Sequence, residues 1–522
     1  MHCPRFTTLP VLLLAITACT DDAPPTGPGA LPPSLASSSL GDFHRYVAIG
    51  TSITAGVQND GKTAATQRTS WPAQLARLAG RELSQPYLAG TGCRPPLQAP
   101  LITFRRITGE SPGTPGAQLS CSELQEGITV PTANLGISGA RASYALFNTP
   151  ENIAGVDPDN AKVYPRTLAP GQTQVAAMMA QNPKIVSVEL FGNEVLLART
   201  GIAIVGATLA PLQQFTEPYD LILDSIQRVG AKAVLVGVSG SIADFPAFRR
   251  GNDLWKEAQS FALYNVQVSA DCENSQNLLF IPFKITPAVG AGLQSAQQGG
   301  PPAVLSCAAS PSPAAADFVL DANEVAIVDN VLGAIGAHIQ AQAEARGFAH
   351  VDLGVMYNRP ENRPALNAQA FMQGPAPYGP NISIDGVHPT AEGSRILADA
   401  AAAALNARYG FDIRRAPTPE TNVTPVVTEL LAYGRGATGP ITGLNGDLVR
   451  FRLGDRGDPG PWRLRVDWGD GVVHTPTVTR KGDVTLLRSE AFPGPGSYTV
   501  VVTATDLSGA ASAPQTTTIT VQ

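Results

Sequence analysis

The chain has 522 residues, a formal net charge of −6 and an apolar content of 43%, which is more than one hydrophobic core usually serves, so two folded domains are expected. Its Lys and Arg residues do not cluster into an electrostatic footprint for nucleic acid, and a polyanion partner is excluded on that ground.

At the start, Arg5 precedes the apolar run Leu9 to Ala18 and then Cys19. This is the layout of an export signal, and the run is too short to span a bilayer as a helix. Ile16-Thr17-Ala18-Cys19 resembles a bacterial lipobox, which implies that residues 1–19 are a lipoprotein signal with Cys19 lipidated as the first mature residue. Several acyl chains on one cysteine anchor stably. Thr20 in place of Asp after the cysteine resembles Gram-negative lipoproteins of the outer membrane. Residues 20–42, rich in Pro, Ala and Ser, cannot bury a core and read as a flexible tether.

Tyr46 to Ile49 suit a buried strand that stops at Gly50, and Ser52 then sits on a tight turn. In an open parallel sheet, ligands gather at the carboxyl ends of strands, so a serine hydroxyl there is a candidate nucleophile. A helix is expected from Trp71-Pro72, with Trp71 in the core, followed by an irregular proline-rich insertion to about Pro131. Thr132 to Leu135 resume strand character and break at Gly136-Ile137-Ser138-Gly139. Helical sequence at Gln174 to Ala180 leads into the strand Lys184 to Leu190, which ends at Phe191-Gly192-Asn193-Glu194. The cycle repeats with a helix over Tyr219 to Val229 and a strand over Ala233 to Val238. It repeats again with a long helix from Asp321 to Arg346, opened by the capping pair Asp321 and Glu324, and a strand over Ala349 to Leu353. Such alternation argues for a parallel sheet covered on both faces. After Ile384-Asp385-Gly386-Val387-His388-Pro389-Thr390, a last helix runs to about Arg408, with Pro389 expected at its first position. Beyond Arg415 the short alternating stretches Leu464 to Val466 and Tyr498 to Thr503 read as a small β-sandwich.

With Cys3 and Cys19 assigned to the leader, Cys93, Cys121, Cys272 and Cys307 remain, and four cysteines outside the cytosol suggest two disulfides. Three pairings are open. The sequence-local one, Cys93 with Cys121 and Cys272 with Cys307, would brace the two Gly/Pro-rich insertions by about 3–4 kcal/mol each in the chain-entropy model. A zinc site is disfavoured because there is no CxxC and no nearby His.

Acyl transfer by serine needs a base for the hydroxyl proton, a carboxylate to fix the base's tautomer, and donors for the oxyanion. His388 is the natural base, and Asp385, three residues before it, can reach one ring nitrogen. Gly139 offers an unobstructed backbone N–H, Asn193 a side-chain amide, and the Ser52 N–H a third donor. His44, His338, His350 and His474 sit in positions typical of structural histidines. So few histidines disfavour a di-metal phosphoesterase, and GTSITAG lacks the lysine of a phosphate loop.

Taken together, GTSIT, ISGAR, FGNE and DGVHP resemble, in order, the four blocks of the SGNH, or GDSL-type, serine hydrolase superfamily. The resemblance covers roughly Asp42 to Phe411. It implies a three-layer α/β/α, flavodoxin-like domain over residues 43–415 with a parallel sheet. Ser52 is implied as nucleophile, Gly139 and Asn193 as oxyanion donors, Asp385 and His388 as the rest of the triad, and no metal or cofactor. Thr51, Phe191 and Glu194 depart from the family's residues, and the insertions around 91–130 and 280–316 have no clear counterpart. Val466-Asp467-Trp468-Gly469-Asp470-Gly471 and Gly496-Ser497-Tyr498-Thr499-Val500 resemble a PKD-type Ig-like sandwich over residues 416–522, with Trp468 in its core and Asp470-Gly471 in a hairpin turn. That resemblance implies a spacer or a contact with glycan or protein. The combined expectation is an exported, membrane-anchored serine esterase or lipase acting on a carboxylic ester, a lipid or an acylated glycan. The alternative is an inactive hydrolase fold that binds through the β-domain.

Overall fold

The computed structural model describes residues 40–112, 120–310, 316–415, 425–433, 448–454, 462–478, 481–488, 490–505 and 511–521. The lipobox with Cys19, most of the expected tether and the junction at residue 416 lie outside these residues. No described helix is long and apolar enough to cross a membrane.

Four strands, β1 (Tyr46–Gly50), β2 (Ile185–Glu189), β3 (Lys232–Gly237) and β4 (Ala349–Asp352), form a parallel sheet in that spatial order. β1 and β2 are buried at every position, the pattern of strands covered on both faces. The segment expected as a strand over Thr132 to Leu135 is instead a single parallel bridge between Asn134 and Ala48 on the free side of β1. It still gives and takes ladder bonds, Ala48 N–H to the Ala133 carbonyl and Leu135 N–H to the Ala48 carbonyl. Counting it, the spatial order is 2-1-3-4-5, the flavodoxin-like winding, and the order reverses beside β1.

α1 (Ser52–Ala55) follows β1 directly, and α2 (Trp71–Leu78) starts as expected with Pro72 in its first turn and Trp71 fully buried. α2 packs with α6 (Ala391–Tyr409) on one side of the sheet, while α3 (Gln174–Ala180), α4 (Leu212–Arg228) and α5 (Ala322–Arg346) cover the other. α5 opens on the Asp321 and Glu324 capping box and ends at Gly347 in the left-handed conformation. α4 begins seven residues before the expected start at Tyr219, because Pro218 lies inside it and is buried there; packing offsets the missing backbone bond. α6 also differs. Its N-cap is Thr390, whose hydroxyl accepts from the Gly393 N–H, so Pro389 precedes the cap and is not the first helical residue.

The second insertion is less irregular than its composition suggests, since Ile281–Gln297 form a helix that contains Pro287. Both disulfides take the sequence-local pairing, Cys93 with Cys121 and Cys272 with Cys307. The C-terminal part is all β. One sheet holds Val426–Tyr433, Leu448–Gly454 and Gly482–Leu487, and the other includes Trp462–Asp467, Gly496–Thr505 and Gln515–Val521. Trp462 to Asp467 alternate buried and exposed, and Trp462, Trp468, Phe451 and Val502 fill a core of their own. Asp470 lies in the turn before Gly471 and pairs at 2.6 Å with the buried Arg488.

Candidate active site

Ser52 is the first residue of α1, placed at the carboxyl end of β1 where the strand order reverses. Its Oγ lies 2.9 Å from His388 Nε2, and His388 Nδ1 lies 2.9 Å from Asp385 Oδ2. All three residues are about nine-tenths buried. The loop between Ile384 and Thr390 makes this possible by folding on itself. Asp385 Oδ1 accepts from the N–H groups of Val387 and His388 at 2.8 Å each, and Gly386 takes the positive φ of 74° that the bend requires. The buried Tyr357 hydroxyl donates to the Val387 carbonyl. Burial alone would raise the Asp385 pKa, but attraction to His388 and the hydrogen bonds from His388 and Val387 outweigh it and hold the carboxyl at about 2. A permanently ionised Asp385 keeps the proton of His388 on Nδ1, leaving Nε2 as the acceptor that faces Ser52.

Gly139 and Asn193 converge on the same end of the sheet. Gly139 has φ +78°, and a Cβ there would fall 2.2 Å from Asn160 Nδ2, so only glycine fits. Asn193 donates one amide hydrogen to the Ala140 carbonyl at 2.7 Å, which orients the amide and leaves the second hydrogen available. Glu194 makes a second tie between the two loops by accepting the Ala142 N–H at 2.8 Å. Phe191, which departs from the family residue, is buried in the wall of a cleft that opens on Ser52 and is lined mostly by apolar side chains such as Ile242, Phe245, Phe248 and Leu353, with Thr51, Glu189 and Asn193 beside the serine. A separate polar cleft is lined by Asp60, Arg94, Ser138, Asp159 and Lys162.

The other histidines stand apart from this cluster. His338 bonds Asp220, and His474 bonds Glu490 and the Trp468 indole. The sulfurs of Cys272 and Cys307 lie close to the Asp271 carboxylate, but their disulfide removes them as thiolate ligands.

One residue escaped the sequence reading. Glu189 closes β2 and is 1% exposed. Its carboxylate accepts from the N–H and hydroxyl of both Thr51 and Thr54, the residues that flank Ser52 and Ile53. The signal was a carboxylate at the end of a buried-strand run, where an unpaired acid almost never sits.

Burial raises both Glu189 and Glu194 to about 7, against the lowering effect of their hydrogen bonds. The unfolded chain releases these protons near the usual 4.5 while the fold keeps them to about 7. Stability from these groups is therefore complete below pH 4.5 and is lost as pH rises through 7, by on the order of 3 kcal/mol per group. Thermal melts should accordingly give a lower Tm at pH 8 than at pH 5, with a shallower fall in Glu189→Gln. A Tm that climbs over this interval, or a variant with the wild-type slope, contradicts the assignment.

The fold and its site define a carboxylic ester hydrolase. Residues 46–401 match the family model described as GDSL-like lipase/acylhydrolase, and the chain belongs to that family. No curated protein matches the sequence. Among solved structures, it is similar to Axe2, an acetylxylan esterase from Geobacillus stearothermophilus, at 13% identity and a TM-score of 0.27, over 71% of this chain and 96% of that one. The PKD domain of a peptidase from a Thermoplasmatales archaeon is similar over 19% of this chain and 92% of its own length, at 18% identity and a TM-score of 0.15. A PKD domain of human SorCS2 is similar over 19% and 76%, at 21% identity and a TM-score of 0.14.

Proposed function

We propose that the protein is a membrane-anchored, extracytoplasmic serine esterase or lipase. The observation that carries this reading is the unbroken hydrogen-bonded run from Ser52 Oγ through His388 to Asp385. His388 Nε2 takes the Ser52 proton as Oγ attacks the ester carbonyl, and Asp385 stabilises the imidazolium that forms. The tetrahedral oxyanion is received by the N–H groups of Gly139 and Ser52 and by the Asn193 amide. His388 then protonates the leaving alcohol, and water activated by the same nitrogen releases the acid from Ser52. The apolar cleft suits an acyl chain, and the substrate is a lipid or an acylated glycan. A fluorophosphonate should label the wild type on Ser52 and leave Ser52→Ala unlabelled. Purified protein that takes no label returns the reading to an inactive fold that binds through its β-domain.

Export is supported by the lipobox and by two disulfides, which persist in oxidising compartments. The proposed location is the outer membrane, through a lipidated Cys19. Mass spectrometry of the native protein should find the mature N-terminus at an acylated Cys19, and Cys19→Ser should release the protein from membranes. An unmodified N-terminus downstream of Cys19 refutes the anchor. The β-domain is proposed to contact glycan or protein, so a chain ending at residue 416 should keep turnover of a small soluble ester.

A further inference from the structure

Asp385 Oδ2 accepts two hydrogen bonds, one from His388 and one from a distant part of the chain, the main-chain N–H of Asp60. Asp60 and Asn59 form the centre of a two-residue turn closed by reciprocal backbone bonds between Gln58 and Gly61. Both central residues have positive φ, 54° and 55°. Glycine is usual in such a turn, and a non-glycine residue there is held at a cost by its surroundings. The Asn59 side chain and N–H bond the backbone of Ile384 and the hydroxyl of Ser383, so the whole turn backs the loop that carries the triad acid.

What holds the turn is the first disulfide-closed insertion. Arg106, whose side chain is 1% exposed, pairs with the Asp60 carboxylate at 2.7 Å and also donates to the carbonyls of Asp60 and Pro95. Arg94, next to Cys93, pairs with the same carboxylate at 3.3 Å. The backbones approach so closely that a Cβ on Gly61 would lie 2.5 Å from the Arg94 carbonyl oxygen. Two guanidinium groups thus pair with the carboxylate of the residue whose main-chain N–H bonds Asp385.

We propose that Asp60 is a positioning residue for the triad acid, clamped by Arg94 and Arg106 so that its main-chain N–H fixes Asp385. The disulfide-closed insertion thereby sets the geometry of the catalytic loop. This rests on the serine hydrolase reading above. Arg106→Ala should lower kcat about 10–100-fold with KM nearly unchanged, the penalty of a misplaced catalytic group. Arg106→Lys, which keeps the charge, should recover part of the loss. Adding Asp60→Gly to Arg106→Ala should recover most of it, because glycine keeps the N–H, adopts positive φ freely and removes the unpaired carboxylate. The downfield proton resonance of the His388 to Asp385 hydrogen bond should weaken in Arg106→Ala and return in the double variant. That signal does not depend on turnover, so it separates this proposal from the hydrolase reading. If wild type shows no turnover, the reading fails while the resonance still decides the clamp. Wild-type kcat and resonance in Arg106→Ala, or losses that Asp60→Gly does not repair, overturn the proposal. Should Arg106→Ala not fold, the more exposed Arg94→Ala carries the same test, and an unchanged kcat and resonance there count against it.

Discussion

Ser52→Ala and His388→Ala are each expected to lower kcat/KM for a short-chain aryl ester at least ~10³-fold, and the double variant to lose comparably little more. Ser52 Oγ and His388 Nε2 are 2.9 Å apart, within reach for direct proton transfer. Neither group can act without the other: a serine without its base is a weak nucleophile, and a base without the serine has no proton to take. Their contributions therefore vanish together rather than adding. Both side chains are buried, so circular dichroism with a thermal melt should verify that each variant keeps its fold. Multiplicative losses in the double variant would show two independent roles. Unchanged turnover in Ser52→Ala would assign the activity elsewhere.

Asn193→Ala carries the second large effect, a fall in kcat of about 10²–10³-fold with the fold retained, since an oxyanion donor acts mainly in the transition state. The Asn193 amide also holds the Ala140 carbonyl, directly beside Gly139. The variant should thus disturb two donors at once. Glu194, through the Ala142 N–H, keeps the two loops tied when the asparagine is gone. A rise in KM with unaltered kcat would place Asn193 in ground-state binding instead.

Much of this arrangement was legible because its parts are local in sequence. The buried strands announced themselves as short apolar runs ending in glycine, and Asp321 with Glu324 announced the start of α5. That Asp385 could reach His388 followed from a spacing of three in a loop. What was not legible depends on contacts between distant residues. Asp60 meets Asp385 across 325 positions, and no local pattern marks Arg106 as its partner. Thr132 to Leu135 had strand composition, yet register only one bridge, at Asn134, because the next ladder acceptor, the Leu135 carbonyl, is taken by the Gln174 side-chain amide. The start of α4 differs for the opposite reason: Pro218 works locally against a helix, yet it lies buried inside one that begins at Leu212.

Among the described residues the two hydrophobic cores share none, one spanning Phe43 to Ile413 and the other Val427 to Ile519. Cooperativity is a property of a shared core, so heat absorption should resolve into two calorimetric transitions rather than one. The same separation bears on ancestry. A module that contributes no side chain to its neighbour's interior can be acquired, exchanged or discarded by recombination without any compensating change in the chemistry upstream.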